Sequence, residues 1–199
     1  PDMKWFVTAA NRLNHVDLYR WLGSEAKEPL QLVKRIPAPK TPSHLFIDRK
    51  STVLYASLQD SDEVLAIDLA TQSVRWKQAV GKLPADIFLT GDDKHLLVAL
   101  TGGREVEVYD VSGPGPKLVK RIATGDGAHS FRAFGDGRHV LVSNRAANFI
   151  SKIDTATLAV VEDEIYVPRT VKVTPAEYNR VFHELTTGDE AQKRVGMAY

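Results

Sequence analysis

The sequence repeats itself with a period of about 43 residues, and this repeat constrains the fold more than any other feature. The pentapeptide LVKRI occurs at residues 32–36 and again at 118–122, two periods later. The apolar centres Tyr55, Val98 and Val142 are 43 and 44 residues apart. Each unit contains short runs rich in β-branched and aromatic residues, separated by Gly and Asp turns. Four strands in about 40 to 45 residues are typical of a β-propeller blade.

The pattern therefore predicts an all-β protein with a β-propeller of about four blades. The propeller repeats cover residues 1–174, in units of about 3–50, 51–94, 95–138 and 139–174. Residues 175–199 depart from the pattern. Thr174 as a helix N-cap, followed by Pro175 and by Glu177, predicts a short C-terminal helical tail. A degenerate repeat is the alternative for this segment.

The number of strands leaves the closure of the propeller open. The chain begins just before a second strand, and RTVKVT at residues 169–174 supplies one more first strand. If this strand pairs with the N-terminal segment, the ring closes at four blades. Otherwise the chain forms an open arc, as part of a larger propeller or as half of a homodimer joined through open propeller edges.

Two segments carry family resemblances. HVLVSNRAANFISKIDTATLAVV, residues 139–161, resembles the YVTN-type β-propeller repeats, and the likeness extends over roughly residues 3–173. It implies a propeller and a periplasmic or otherwise exported protein, but it leaves the function open. KWFVTAAN at residues 4–11 is similar to a blade of the haem-binding propeller of cytochrome-type nitrite reductases. That second likeness implies a cofactor held over the channel by His and Arg side chains, here His44, His129, Arg12 and Arg145.

The composition excludes several classes of function. The formal net charge is +1 with mixed charges, so nothing favours a nucleic-acid partner. No apolar run approaches the roughly 20 residues of a membrane span, and the opening PDMKWFVTAA has no signal-peptide pattern. Without cysteines there are no disulfides and no cysteine-bound metal.

Blade topology predicts where a site would form. First strands start on the face where second strands end, so two sets of loops meet at one mouth of the channel. The polar residues there need not serve the core and differ from blade to blade, as a specific site requires. Ordinary polar loops are the alternative interpretation. The candidate ligand-binding residues are Asn11, Arg12, His44, Asp60, Asp86, Arg104, His129, Arg132, Asn144, Arg145 and Arg169.

Two groups of these candidates suggest particular ligands. His44 and His129, which would face each other in a closed four-bladed ring, could ligate a metal together with Asp86, although ordinary hydrogen-bonded loop histidines are the competing interpretation. In their units, Arg132 and Lys172 stand where other units have Phe46 and Phe88. Two cationic side chains on one side of the channel would suit a carboxylate or phosphate ligand. The alternative is that these two cations pair with Glu162 or Asp163.

The sequence contains no G-x-S-x-G, no HExxH and no phosphate-binding glycine loop. The prediction is therefore a non-enzymatic binding or interaction protein whose polar loop face contacts a protein partner or a small anionic ligand. No catalytic residue, metal or cofactor is assigned. The alternative is a metal- or cofactor-binding propeller, haem-related or lactonase-like, with its site at the channel mouth.

Overall fold

Alternating apolar and turn-forming residues produce short antiparallel strands in the part of the chain that the structure describes. The structure is a computed structural model, and it describes residues 3–161 and the backbone of residues 165–166. These residues include the single-turn 3₁₀ helices Asn11–Leu13 and Gln59–Ser61. The strands are β1 (Trp5–Ala10), β2 (His15–Trp21), β3 (Leu30–Pro37), β4 (Pro42–Ile47), β5 (Val53–Leu58), β6 (Glu63–Asp68), β7 (Ser73–Ala79), β8 (Pro84–Leu89), β9 (His95–Leu100), β10 (Glu105–Asp110), β11 (Lys117–Ala123), β12 (Ala128–Ala133), β13 (His139–Asn144), β14 (Phe149–Asp154), β15 (Ala159–Val160) and β16 (Ile165–Tyr166).

The strands form four antiparallel sheets in which neighbours follow the order of the chain. Sheet 1 contains β1 to β3, sheet 2 contains β4 to β7, and sheet 3 contains β8 to β11. Sheet 4 contains β12 to β16, with β15 and β16 pairing with opposite ends of β14. This arrangement confirms the predicted all-β propeller.

The sheets pack against one another in the order of the chain. β1 contacts β4, β4 contacts β8, and β8 contacts β12. Three apolar clusters fill the spaces between successive sheets, centred on Leu18 and Leu54, on Tyr55 and Leu96, and on Leu97 and Val140. A sheet between two neighbours buries both of its faces in this way, which is the physical reason for the sequence repeat.

Within the described residues, sheet 1 lacks the first strand that β4, β8 and β12 form in the other sheets. Phe6 on β1 pairs with Tyr19 on β2, as Leu54 on β5 pairs with Ile67 on β6, so β1 corresponds to β5. β5 has β4 on its other side, whereas within the described residues β1 pairs only with β2. The predicted closing strand, residues 169–174, lies outside the described residues.

The repeated LVKRI segment forms equivalent parts of β3 and β11. Its isoleucines, Ile36 and Ile122, are buried between sheets. Its second basic residue pairs with a buried carboxylate on the adjacent strand: Arg35 Nε lies 2.9 Å from Asp17, and Arg121 Nη2 lies 3.1 Å from Glu107. The pentapeptide therefore recurs because the same packing and the same ion pair recur.

The predicted helical tail, residues 175–186, also lies outside the described residues, as do Arg169, Lys172, Glu162 and Asp163. Within the described residues, no helix is long and apolar enough to cross a membrane.

Candidate functional site

The first strands of sheets 2 to 4 are β4, β8 and β12. Each of them is irregular near its first residue, on the face where the channel mouth was predicted. Pairing with the next strand shifts register between Pro42 and Leu45, between Pro84 and Ile87, and between Ala128 and Ser130. Such bulges turn side chains away from their regular alternation. Here they occur at the positions that carry His44, Asp86 and His129.

These three side chains meet, and we call them the mouth cluster. His44 Nδ1 lies 3.2 Å from Asp86 Oδ1. The rings of His44 and His129 are in edge-to-face contact, with centroids 5.7 Å apart and planes at 86°. The sequence predicted that the three residues lie at one mouth, with the histidines facing each other if four blades close. In the structure the two rings are in direct contact and His44 is paired with Asp86.

The Asp86 carboxylate joins three sheets. Besides approaching His44 of sheet 2, it accepts hydrogen bonds from Ile87 N at 3.0 Å and from Phe131 N of sheet 4 at 2.8 Å. Burial raises the pKa of Asp86, but the hydrogen bonds from His44 and Phe131 outweigh it and hold the pKa below its ordinary value. Asp86 is therefore an ionised group that positions His44.

His129 differs from the ionised Asp86, because its surroundings favour the uncharged form of the side chain. Its Nδ1 lies 2.8 Å from Ser130 Oγ. Burial lowers the pKa of His129, and the charges of Arg145 and His44 lower it further. His129 is therefore neutral at pH 7, and the positive charge of Arg145 acts on its ring.

A model of the YNCE-like beta-propeller family matches residues 1–173. The chain belongs to this family. No curated protein matches the sequence at a significant level.

Solved structures similar to this YNCE-like propeller share its fold at low sequence identity. Kuenenia stuttgartiensis hydrazine synthase aligns with a TM-score of 0.71 at 21% identity, over 83% of this chain and 47% of that one. Periplasmic gluconolactonase PpgL from Pseudomonas aeruginosa gives 0.69 at 20%, over 84% and 52%. Dihydro-heme d1 dehydrogenase NirN in complex with DHE gives 0.65 at 15%, over 84% and 36%. The chain spans about half the length of the first two structures and about a third of the last.

Two predicted site residues instead bind linkers between the sheets of the YNCE-like propeller. Thr41 Oγ1 donates to Asp60, which holds the β5–β6 loop to the linker that begins the same sheet. Arg104 forms an ion pair with Asp126, with Nη2 2.6 Å from Oδ2. Asp62, two residues after Asp60, accepts a hydrogen bond from Leu83 N at 2.9 Å. Arg104 and Asp62 therefore hold one sheet to the linker that begins the next.

The remaining predicted residues differ in exposure. Asn144 is buried and donates to Phe149 O and Ser151 Oγ, so it organises its own hairpin. Arg132 is exposed and donates to Phe131 O at 2.7 Å. Asn11, Arg12 and Arg145 are exposed. Of these, Arg145 is electrostatically coupled to the mouth cluster through His129.

The sequence did not reveal two other features of this YNCE-like propeller. Ser57 Oγ accepts the His44 backbone N–H at 3.1 Å and so supports the bulge. On the opposite face, a cavity of about 230 Å³ is lined by Phe46, Phe88 and Arg49, among others. Arg49 Nη2 lies 2.9 Å from where a Cβ at Gly91 would stand. Gly91 leaves space for the Arg49 guanidinium. The sequence identifies Gly91 only as a turn residue and does not predict this contact.

Proposed function

We propose that this propeller is a non-enzymatic binding protein that takes a small anionic ligand, a carboxylate or phosphate, at the mouth cluster. The observation that carries the proposal is the contact between His44 and His129 at a mouth where Arg145 adds a cation. A protein that presents such an anion, for example on an acidic side chain, would use the same donors.

Three nitrogen groups are available to such a ligand. His44 turns Nδ1 toward Asp86, which leaves Nε2 for a ligand. His129 uses Nδ1 toward Ser130, which leaves its Nε2 as well. Arg145 makes no ion pair with any residue that the structure describes, and guanidinium is a suitable donor for carboxylate and phosphate oxygens.

The low pKa of His129 makes ligand binding dependent on pH. An anion beside the ring favours the imidazolium, so the bound protein holds a proton that the free protein lacks. Affinity should therefore increase as pH falls from about 7 to about 5, and the gain should level off once the free protein is also protonated.

Isothermal titration calorimetry with inorganic phosphate and with succinate, at several pH values, tests the proposal. We expect His129→Gln to weaken binding by about tenfold, equivalent to about 1.4 kcal/mol, and to flatten the pH dependence. Arg49→Gln on the opposite face is the matched control and should bind as the native protein does. Failure of both probes to bind, or an equal loss in the control, would overturn the proposal.

A second candidate function is supported by the pairing of His44 with Asp86. A carboxylate on one imidazole nitrogen orients the other nitrogen toward a metal ion or haem iron, or toward a proton in catalysis. However, within the described residues no group of three His, Asp or Glu side chains could hold a metal ion. His44 would thus be the one residue of the mouth cluster to hold such a cofactor, by binding its metal ion. Titration with hemin tests this, and His44→Ala should abolish any spectral shift.

We also propose that the protein is exported to the periplasm, which the periplasmic gluconolactonase among the similar structures supports. Fractionation of the native cells, followed by detection of the protein, tests the location. Recovery in the cytoplasmic fraction would contradict it.

A further inference from the structure

The cavity on the face opposite the mouth cluster lies between the hairpin turns of three successive sheets. These are the turns between β4 and β5, between β8 and β9, and between β12 and β13, and we call the space between them the turn cavity. Its volume is about 230 Å³, below the roughly 300 to 1,000 Å³ of pockets that hold drug-sized ligands. The turn cavity therefore suits a small molecule.

Part of the lining of the turn cavity is apolar. The rings of Phe46 and Phe88 are in edge-to-face contact, with centroids 5.8 Å apart and planes at 66°. Leu89 and Ala133 also line the cavity. Apolar walls bind the apolar part of a ligand because that surface then leaves water.

Two titratable side chains that line the turn cavity already have partners. Arg138 Nε lies 2.8 Å from Asp154 Oδ2, and His139 Nδ1 lies 2.6 Å from Asp136 Oδ2. Both are thus bound to carboxylates of sheet 4. Polar recognition of a ligand falls to the two other titratable side chains of the lining.

These two side chains are Arg49 and Asp93. Neither forms an ion pair or a side-chain hydrogen bond with any residue that the structure describes, and they do not pair with each other. The Arg49 guanidinium lies against the turn of the next sheet, at the space that Gly91 leaves. The turn cavity therefore presents a cation and an anion that do not reach each other.

The repeat shows that the β4–β5 turn does not require Arg49. In each of the three turns, the residue that follows the first strand donates its backbone N–H to the oxygen five residues later, so the turns are equivalent. Arg49 stands at the position that Gly91 and Gly135 hold in the next two units. Because the same turn forms around glycine, the guanidinium is available for another role.

The β8–β9 turn likewise does not require Asp93. Ser51 and Gly137 hold its position in the two equivalent turns. The neighbouring Asp92 accepts the side-chain hydrogen bonds of this turn, from Thr90 Oγ1 at 2.7 Å and from the backbone N–H two residues later. The Asp93 carboxylate takes no part in this network.

We propose that the turn cavity binds a single amino acid with an apolar side chain. The Arg49 guanidinium binds the α-carboxylate, and the Asp93 carboxylate binds the α-ammonium group. Phe46 and Phe88 contact the side chain of the ligand. An amino acid carries both of its charges on one carbon atom, so a single ligand bridges two protein groups that do not reach each other.

Isothermal titration calorimetry with L-leucine tests the class of ligand. Three analogues each lack one feature: 4-methylpentanoate has no ammonium group, 3-methylbutylamine has no carboxylate, and glycine has no apolar side chain. We expect L-leucine to bind and each analogue to bind at least tenfold more weakly. Absence of leucine binding, or an analogue that binds as tightly as leucine, would overturn the proposal.

Single substitutions test the assignment of the two charges. Arg49→Gln and Asp93→Asn should each raise the dissociation constant of L-leucine at least tenfold. Lys50→Gln and Asp92→Asn are the matched controls, because they remove the same charges from adjacent residues that do not line the turn cavity; both should bind leucine as the native protein does. An equal loss of affinity in a control would refute direct contact. Circular dichroism verifies that each variant is folded.

The proposal can fail or succeed independently of anion binding at the mouth cluster. His129→Gln should leave the affinity for L-leucine unchanged, and a loss of leucine binding in this variant would refute the turn cavity as the site. Phosphate and succinate carry no cation for Asp93, whose carboxylate repels them. Arg49→Gln therefore remains a valid control for those two probes.

Discussion

The aspartate that ends the third strand of sheets 2, 3 and 4 shows how one side chain can shape a turn. Asp68, Asp110 and Asp154 each accept backbone N–H groups from the residues two or three positions later. Sheet 1 has Arg20 at this position, and its guanidinium lies 3.9 Å from the centre of the Trp5 ring. The sequence showed the substitution, and the structure supplies the alternative contact.

Asp154 should make the stability of the protein depend on pH. Hydrogen bonds from Arg138, together with backbone N–H groups, lower the pKa of Asp154 to about 2 from the ordinary 3.8. A carboxylate whose pKa is lowered by folding stabilises the protein above the unfolded-state pKa, and that contribution is lost as pH falls from about 4 to about 2. We therefore expect Asp154→Asn to lower the midpoint of urea unfolding at pH 7 and to reduce the loss of stability below pH 4.

Asp110→Asn is the control for this prediction, because Asp110 also caps its turn but has no arginine ion pair within the described residues. Its effect should be smaller. If both variants lost the same stability at pH 7 and at pH 3, the Arg138 contact would have no special role.

At the scale of strands and linkers, a buried carboxylate connects elements through hydrogen bonds that the hydrophobic pattern does not predict. Glu107 on β10 accepts hydrogen bonds from Tyr109 OH at 2.6 Å, from Arg121 on β11, and from Gly81 N in the linker before β8. Burial and the hydrogen bond to Glu107 raise the pKa of Tyr109 well above its ordinary value. One side chain thus joins two strands of sheet 3 to the linker from sheet 2.

Removing the Glu107 carboxylate should reduce the stability of the protein. Glu107→Ala leaves the buried Tyr109 hydroxyl and the Gly81 N–H without their acceptor, and we expect a loss of about 3 kcal/mol in the free energy of unfolding. Glu105→Ala is a matched control, since Glu105 also lies on β10 and its carboxylate is 3.6 Å from Arg121, but its side chain is 37% exposed. It should cost less than about 0.5 kcal/mol. Urea denaturation measures both, and equal losses would contradict the role of burial.

At the scale of the whole molecule, stability should depend on how many neighbours a sheet has. Leu97 in sheet 3 is fully buried in the cluster shared with sheet 4, whereas Leu141 at the same register position of sheet 4 is partly exposed. We expect Leu97→Ala to cost about 3 kcal/mol and Leu141→Ala about 1 kcal/mol.

Urea denaturation of both variants measures the two costs. Equal costs would mean that a sheet gains little from its following neighbour.

The sequence by itself determined the repeat, the all-β class and the positions of most strands. These features follow from the alternation of apolar and polar residues and from turn-forming residues, both of which recur in every unit. It also placed His44, Asp86 and His129 at one mouth, because blade topology fixes which strand ends converge. The YVTN assignment of the repeats and the helical tail stay predictions.

Only the tertiary structure decided what the polar loop residues do. Asp60 and Arg104 were indistinguishable from His44 in the sequence, yet they bind linkers between sheets, while His44 and His129 touch each other beside Asp86. The physical reason is that bulges and packing between sheets aim each side chain, and both depend on contacts between residues distant in the sequence, such as His44 and Ser57 or Asp86 and Phe131. A pattern that repeats along the chain carries no record of such contacts.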